Sequence, residues 1–279
     1  MTAVRRTNYP LIGLWIALVI SALIWLAPFA FMVLTSLKST AEIGRGSIWA
    51  LPEVWHWDNY ANAAERGELW TVAANSAYIA LIKVPLGLLV SAAAAFAIAR
   101  LRFKRHRALL IVITLGSMVP VQVALAPMFT TLSSMGLLNS TNGIILPYLA
   151  FGIPYQVFFL YGFFRSLPHE LDEAARIDGS GNWRLFLSVC LPLAKPALAA
   201  LFILDFVATW NEYGMALVLL QDQEVRTVPL ALQAFQSQFA SNYGQLNAFI
   251  IMSILPVLIV YLMFQRFFTQ GALAGAIKG

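Results

Sequence analysis

Three ionisable side chains, Lys83, Asp205 and Glu212, lie inside long apolar runs of a 279-residue chain in which only 11% of residues are charged. At bilayer depth such a group costs roughly 2.5–3.5 kcal/mol on insertion scales, so each one points to a partner or a function. Counted from the ends of their runs at 1.5 Å per helical residue, Lys83 lies about 18 Å and Asp205 about 15 Å into a hydrocarbon core of roughly 30 Å. The two levels agree to within one helical turn. Two chemistries fit: the residues neutralise each other across a helix bundle, or Lys83 faces a pathway and meets an anionic group on a solute. Asn75, Gln122, Gln156, Asn211 and Glu212, with Tyr213 beside the last, add the hydrogen-bonding and aromatic groups that bind uncharged polyhydroxylated molecules. For any single one of these a helix-packing hydrogen bond is the commoner role, and Glu212, near the outer end of its run, equally suits loop docking to an external protein.

Catalytic chemistry has no such foothold. The sequence contains no H-E-x-x-H, no G-x-S-x-G and no cluster of histidines with carboxylates, since the histidines are His56, His106 and His169. It contains no G-x-x-x-x-G-K-[ST] loop, so any nucleotide-driven step needs another chain. Cys190, the single cysteine, excludes an internal disulfide and a multi-cysteine metal site, and reads as a small packed residue. The net charge of +5 does not indicate nucleic acid, because the bases lie between apolar runs and not on a patch interleaved with aromatics.

A charged segment also lies between two apolar runs: HELDEAARIDGSGNWRLFLSVCLP, His169 to Pro192. Leu167-Pro168 places a proline at the first turn of a helix, and Glu170, Asp172 and Glu173 follow where the helix dipole favours acids. The helix is predicted to run to Ile177 or Asp178. Gly179 and Gly181 then provide a residue able to take the left-handed conformation, with Ser180 or Asn182 capping a second helix that Leu191-Pro192 stops. Ala174 and Ala175 in mid-helix leave a face that another protein surface can approach closely.

The elements that hold these residues are set by hydropathy. With 60% hydrophobic residues and a mean hydropathy of +0.75, the solvent for most of the chain is lipid. Six spans are predicted, at about 11–34, 71–99, 108–131, 143–164, 195–220 and 245–268, the third and fourth kinked by Pro120, Pro127, Pro147 and Pro154. The first apolar run is too long for a signal peptide and is read as a retained span. Thirteen of the eighteen lysines and arginines fall on one side of this topology, four (Lys38, Arg45, Arg66, Arg226) on the other, and Lys83 within a span. Both termini and the 165–194 loop between spans four and five therefore face the cytoplasm. Residues 1–70 form a first span and an external loop whose Trp49, Trp55, Trp57 and Trp70 suit the headgroup level, and residues 71–279 form the core.

The order Glu173-Ala174-Ala175, three residues, Gly179, nine residues, Val189, one residue, Leu191-Pro192 resembles the EAA signature of binding-protein-dependent ABC importer permeases. Valine in place of isoleucine is the one departure. The stretches SAAAAFAIARLRF, MVPVQVALAPMF, WNEY and QRFFTQGALAGAIKG are similar to the carbohydrate branch, the smaller membrane subunit of maltose-type importers. The resemblance implies an all-α subunit in a bacterial cytoplasmic membrane and a segment (Glu173, Ala174, Ala175, Asp178, Gly179, Leu191, Pro192) that docks onto a cytoplasmic ATPase. It further implies a second permease, a pair of ATPases holding ATP and magnesium, an extracytoplasmic binding protein and no cofactor on this chain. By the same resemblance Gly275 through Gly279 approach the ATPase interface. The implied cargo is a sugar, or alternatively a phosphorylated or sulfonated polyol such as a glycerol phosphate.

Overall fold

The computed structural model describes residues 9–46, 49–101, 103–235 and 242–276, and every regular element among them is helical. Chain contacts divide it into two units, Met1–Gly67 with Leu232–Met252, and Glu68–Ala231 with Ser253–Gly279.

In the first unit, α1 (Tyr9–Ser36) passes through Pro28 without a break, and its exposed apolar side chains, Leu23 and Trp25 among them, suit a lipid solvent. Ser39 caps α2 (Thr40–Arg45) by accepting the Glu42 N–H at 3.2 Å. In α3 (Asp58–Arg66) the buried Asn59 turns its Nδ2 to the carbonyls of Ser36 and Lys38, at 2.9 and 3.0 Å, satisfying acceptors that the end of α1 leaves open.

The second unit is built on α4 (Leu69–Arg100), which packs along α7 (Thr141–Ser166). Gly87 permits this approach, since a methyl there would lie 3.2 Å from Gln156 Oε1 and 3.3 Å from Leu149 Cδ2. Between them come α5 (His106–Leu115) and α6 (Val121–Ser134). Beyond α7 follow α8 (Glu170–Ile177), α9 (Asn182–Leu185), a π turn at Phe186–Cys190, α10 (Leu191–Leu193) and α11 (Lys195–Trp210). Two short helices, α12 (Gly214–Leu219) and α13 (Val228–Ala231), precede α14 (Tyr243–Ala276), whose residues from Ser253 onward belong to this unit. Ile79, Ile144, Tyr148, Met215 and Leu219 form its buried apolar centre.

Among the described residues, four helices are long and apolar enough to cross a membrane: Gly13–Ser36, Leu69–Arg100, Thr141–Ser166 and Tyr243–Arg266. Two more crossings arise only if the bent pairs His106–Met118 with Val121–Ser134 and Asn182–Leu193 with Lys195–Trp210 each count as one. The predicted third span is thus broken, not kinked. The chain turns by 93° at Val119-Pro120, where Pro120 disfavours the helical conformation in the residue before it and Val119 is extended. Pro147 and Pro154, by contrast, stay inside an unbroken α7. The predicted fifth span, 195–220, ends early at Trp210, because the chain breaks at residues 211–213 before restarting as α12.

Gly143, in the first turn of α7, sits against the backbone of Leu137 with no room for a side chain. An added Cβ would lie 2.1 Å from the carbonyl oxygen of Leu137, a backbone atom that cannot swing aside. Gly143→Ala is expected to destabilise the protein by about 1–3 kcal/mol through overpacking. Gly162→Ala, a helical position with open space around it, is expected to leave it unchanged or stabilise it by up to ~1 kcal/mol. A lowered thermal midpoint for the first variant in detergent, and not for the second, checks this.

Candidate functional site

The segment 165–194 folds from local rules. The first-turn acids Glu170, Asp172 and Glu173 open α8, with His169 as the preceding cap residue, so Pro168 stands just outside the helix and not in its first turn. At the other end Gly179 takes φ +73°, its N–H donates to Arg176 at 3.0 Å, and the Ser180 N–H donates to Ala175 at 2.9 Å. This pair of bonds closes the helix on a left-handed glycine. The second helix starts at the extended Gly181 with no side-chain cap from Ser180 or Asn182. Leu191-Pro192 does not stop it either. The π turn Phe186–Cys190 widens the ladder just ahead of Pro192, so the missing proline N–H interrupts no regular turn, and the helix runs to Leu193 before bending by 72° into α11.

What holds α8 in place is Arg100, the last residue of α4, read in the sequence only as one of many loop bases. Its guanidinium is buried and donates to the Leu167 carbonyl at 2.9 Å, the Pro168 carbonyl at 2.8 Å and Asp172 Oδ1 at 2.7 Å. Asp172 is therefore more than a dipole-complementing acid, and the planar, fork-like donor set of arginine is what bridges three acceptors at once. With Asp172 and Ala175 turned inward, α8 presents Glu173, Ala174, Ile177 and Asp178 outward, beside Gly179 and Trp183. Ile177 is 86% and Trp183 72% exposed, an apolar surface outside the helix bundle's own packing. Leu191 is half-buried and Pro192 exposed further along the segment.

The second constellation is a buried polar chain through α4, α7 and α11. Lys83 Nζ bonds Asp205 Oδ1 and lies 3.3 Å from Thr209 Oγ1. Asp205 Oδ2 accepts from Gln156 Nε2 at 2.9 Å, and Gln156 Oε1 accepts from Ser91 at 2.8 Å. Gly152 makes room for the ion pair, since a Cβ there would lie 2.9 Å from Lys83 Nζ. The carboxylate is thus satisfied on both oxygens and the ammonium on two sides, the condition under which a buried charge pair is tolerated. Neither Thr209 nor Gly152 stands out in the sequence, because a hydroxyl one turn from Asp205 and a glycine in a proline-rich span both have ordinary local explanations.

The other polar positions separate. Asn75 donates to the carbonyls of Glu224 and Arg226, at 2.8 and 3.0 Å, which ties the loop after α12 to the start of α4. Glu212 caps α12: it accepts the N–H groups of Met215 and Ala216, at 2.7 and 3.0 Å, and the Tyr148 hydroxyl at 2.6 Å. Gln122 at the start of α6 and Asn211 in the break after α11 are exposed, as is Tyr213. The tail from 277 to 279 lies outside the described residues, as does Arg102.

A family model described as binding-protein-dependent transport system inner membrane component matches residues 84–271. The chain is 39% identical over 261 residues to a diacetylchitobiose uptake system permease protein of Streptomyces coelicolor, covering 93% of this chain and 84% of that one. It is 34% identical over 254 residues to a sulfoquinovosyl glycerol transport system permease protein of Agrobacterium fabrum, covering 91% and 89%. Among solved structures, a chain of a bacterial ABC transporter involved in the import of the acidic polysaccharide alginate superposes with a TM-score of 0.79 at 27% identity, covering 96% of this chain and 99% of that one.

Proposed function

The chain belongs to the family of binding-protein-dependent transport system inner membrane components, and we propose that it forms half of a sugar pathway and receives ATPase movement through segment 165–194. That it is a permease subunit of a sugar ABC importer follows from the family and its named relatives. The coupling role is carried by one observation: a short helix pinned at its base by Arg100, with an outward face of Glu173, Ala174 and Ile177. In this reading the segment faces the cytoplasm, six spans carry the chain through the bacterial inner membrane and both termini are cytoplasmic. A second permease, two ATPases and an extracytoplasmic binding protein complete the importer. ATP and magnesium sit on the ATPases.

A helix held by a buried ion pair moves as one body with α4, so displacement of α8 reaches the bundle without being absorbed in a loop. This asks for two conformations of the bundle whose balance the ATPase shifts. The cargo is an oligosaccharide or sugar derivative, recognised through hydroxyl-binding groups such as Gln122, Asn211 and Tyr213 in the two broken spans. Lys83, engaged by Asp205, supports an uncharged cargo over a phosphorylated or sulfonated one.

Ile177→Glu changes a side chain that is 86% exposed, so it is expected to leave folding unchanged. It is expected to weaken retention of the ATPase in the purified complex by about tenfold, the loss of one interface anchor of about 1.4 kcal/mol. Full retention of the ATPase by Ile177→Glu and by Glu173→Ala, with uptake unchanged, would remove the coupling assignment.

A further inference from the structure

We propose that a groove in the second unit holds an acyl chain of an anionic phospholipid, with Lys195 meeting the lipid phosphate. The proposal rests on the cytoplasmic placement of segment 165–194. The groove has a volume of about 590 Å³ and is walled by α4 (Leu88, Leu89), the π turn (Leu187), α11 (Leu198, Phe202) and α14 (Phe264). Lys195 is the one charged residue on its wall, and it is exposed without a hydrogen bond or ion pair among the described residues.

Depth places the two parts correctly for a lipid. Lys195 precedes Asp205 by ten residues, about 15 Å of helix, which is half of a hydrocarbon core of roughly 30 Å. With the Lys83–Asp205 pair near the middle of the bilayer, Lys195 stands at the inner phosphate level. The wall from Lys195 to Phe202 then spans inner-leaflet acyl chains. The groove's volume falls in the range of small-molecule sites, about 300–1,000 Å³. Lipid tails are as apolar as leucine, so the walls confer no preference among lipids. Discrimination falls to Lys195: a base near anionic headgroups contributes a preference of about fivefold, equivalent to ~1 kcal/mol. Leu191 and Pro192 also line the groove, which sets the lipid against the segment that α8 begins.

The test uses the whole importer in nanodiscs of phosphatidylethanolamine with and without phosphatidylglycerol, with native mass spectrometry counting retained phosphatidylglycerol. Wild type is expected to keep one phosphatidylglycerol at about fivefold higher occupancy than Lys195→Gln. Leu89→Trp, which fills the groove from an exposed position, is expected to lose it while all subunits stay together. Equal occupancy in wild type and Lys195→Gln overturns the proposal. So does loss of the second permease from Leu89→Trp, which would assign the groove to a subunit contact. Retention of the ATPase by both variants separates this outcome from that of the α8 assignment. If Ile177→Glu keeps its ATPase but lipid occupancy still follows Lys195, the lipid site stands alone.

Discussion

Lys83→Met is expected to destabilise the helix bundle by about 3–5 kcal/mol, because it leaves the Asp205 carboxylate buried with only Gln156 for a partner. The loss should appear as a large drop in thermal midpoint in detergent and as poor recovery of assembled complex. The double variant Lys83→Met with Asp205→Asn removes both charges and keeps an oxygen for the Gln156 amide. It is expected to regain most of the stability, since a neutral replacement of a buried pair is often no worse than the pair itself. A double variant as unstable as the single one would show that the charges are needed for something other than each other. The same pair of variants bears on cargo. Normal assembly of Lys83→Met with selective loss of uptake of an acidic sugar would return Lys83 to the pathway.

Arg100→Ala is expected to have an effect of similar size in a different place. It strips the guanidinium from Asp172 and from the carbonyls of Leu167 and Pro168 together, leaving an uncompensated buried carboxylate at a cost of about 3–5 kcal/mol. The cost is local, because α8 can undock while the α4–α7 packing persists. Faster hydrogen exchange across 165–180, trypsin cleavage at Arg176 and ATP hydrolysis no longer matched by sugar uptake are the expected signs. Arg100→Lys, which restores the charge opposite Asp172 without the fork that reaches three acceptors, should recover only part of the coupling. Unchanged exchange and uptake in Arg100→Ala would show that α8 is held by something else.

These two anchors differ in how far the sequence foretold them. Lys83 and Asp205 announced themselves because a charge in an apolar run is conspicuous, and counting residues put them at one level. That they face each other, with Gln156, Thr209 and Gly152 around them, depends on how α4, α7 and α11 pack. Arg100 gave no such signal. It sits among the bases that end α4, and its partner Asp172, 72 residues away, looked like an ordinary first-turn acid. Glu212 was conspicuous for the same reason as Lys83, yet it caps a short helix that the hydropathy profile had merged into a longer span.

The amino-acid sequence by itself determined what acts over one or two turns or through bulk solvation. Apolar length marked the runs that suit a bilayer, the acids of α8 marked its start, and Gly179 marked the corner where only a residue without a side chain adopts φ +73° comfortably. The family signature is legible for the same reason, being a string of local requirements at fixed spacing. Tertiary structure alone decided whether each proline bends or breaks its helix. Pro120 turns the chain by 93°, while Pro154 stays inside an unbroken α7 beside α4. It also decided which polar groups meet. A buried donor or acceptor must be matched by whatever packing brings within 3 Å, and that neighbour lies tens of residues away along the chain.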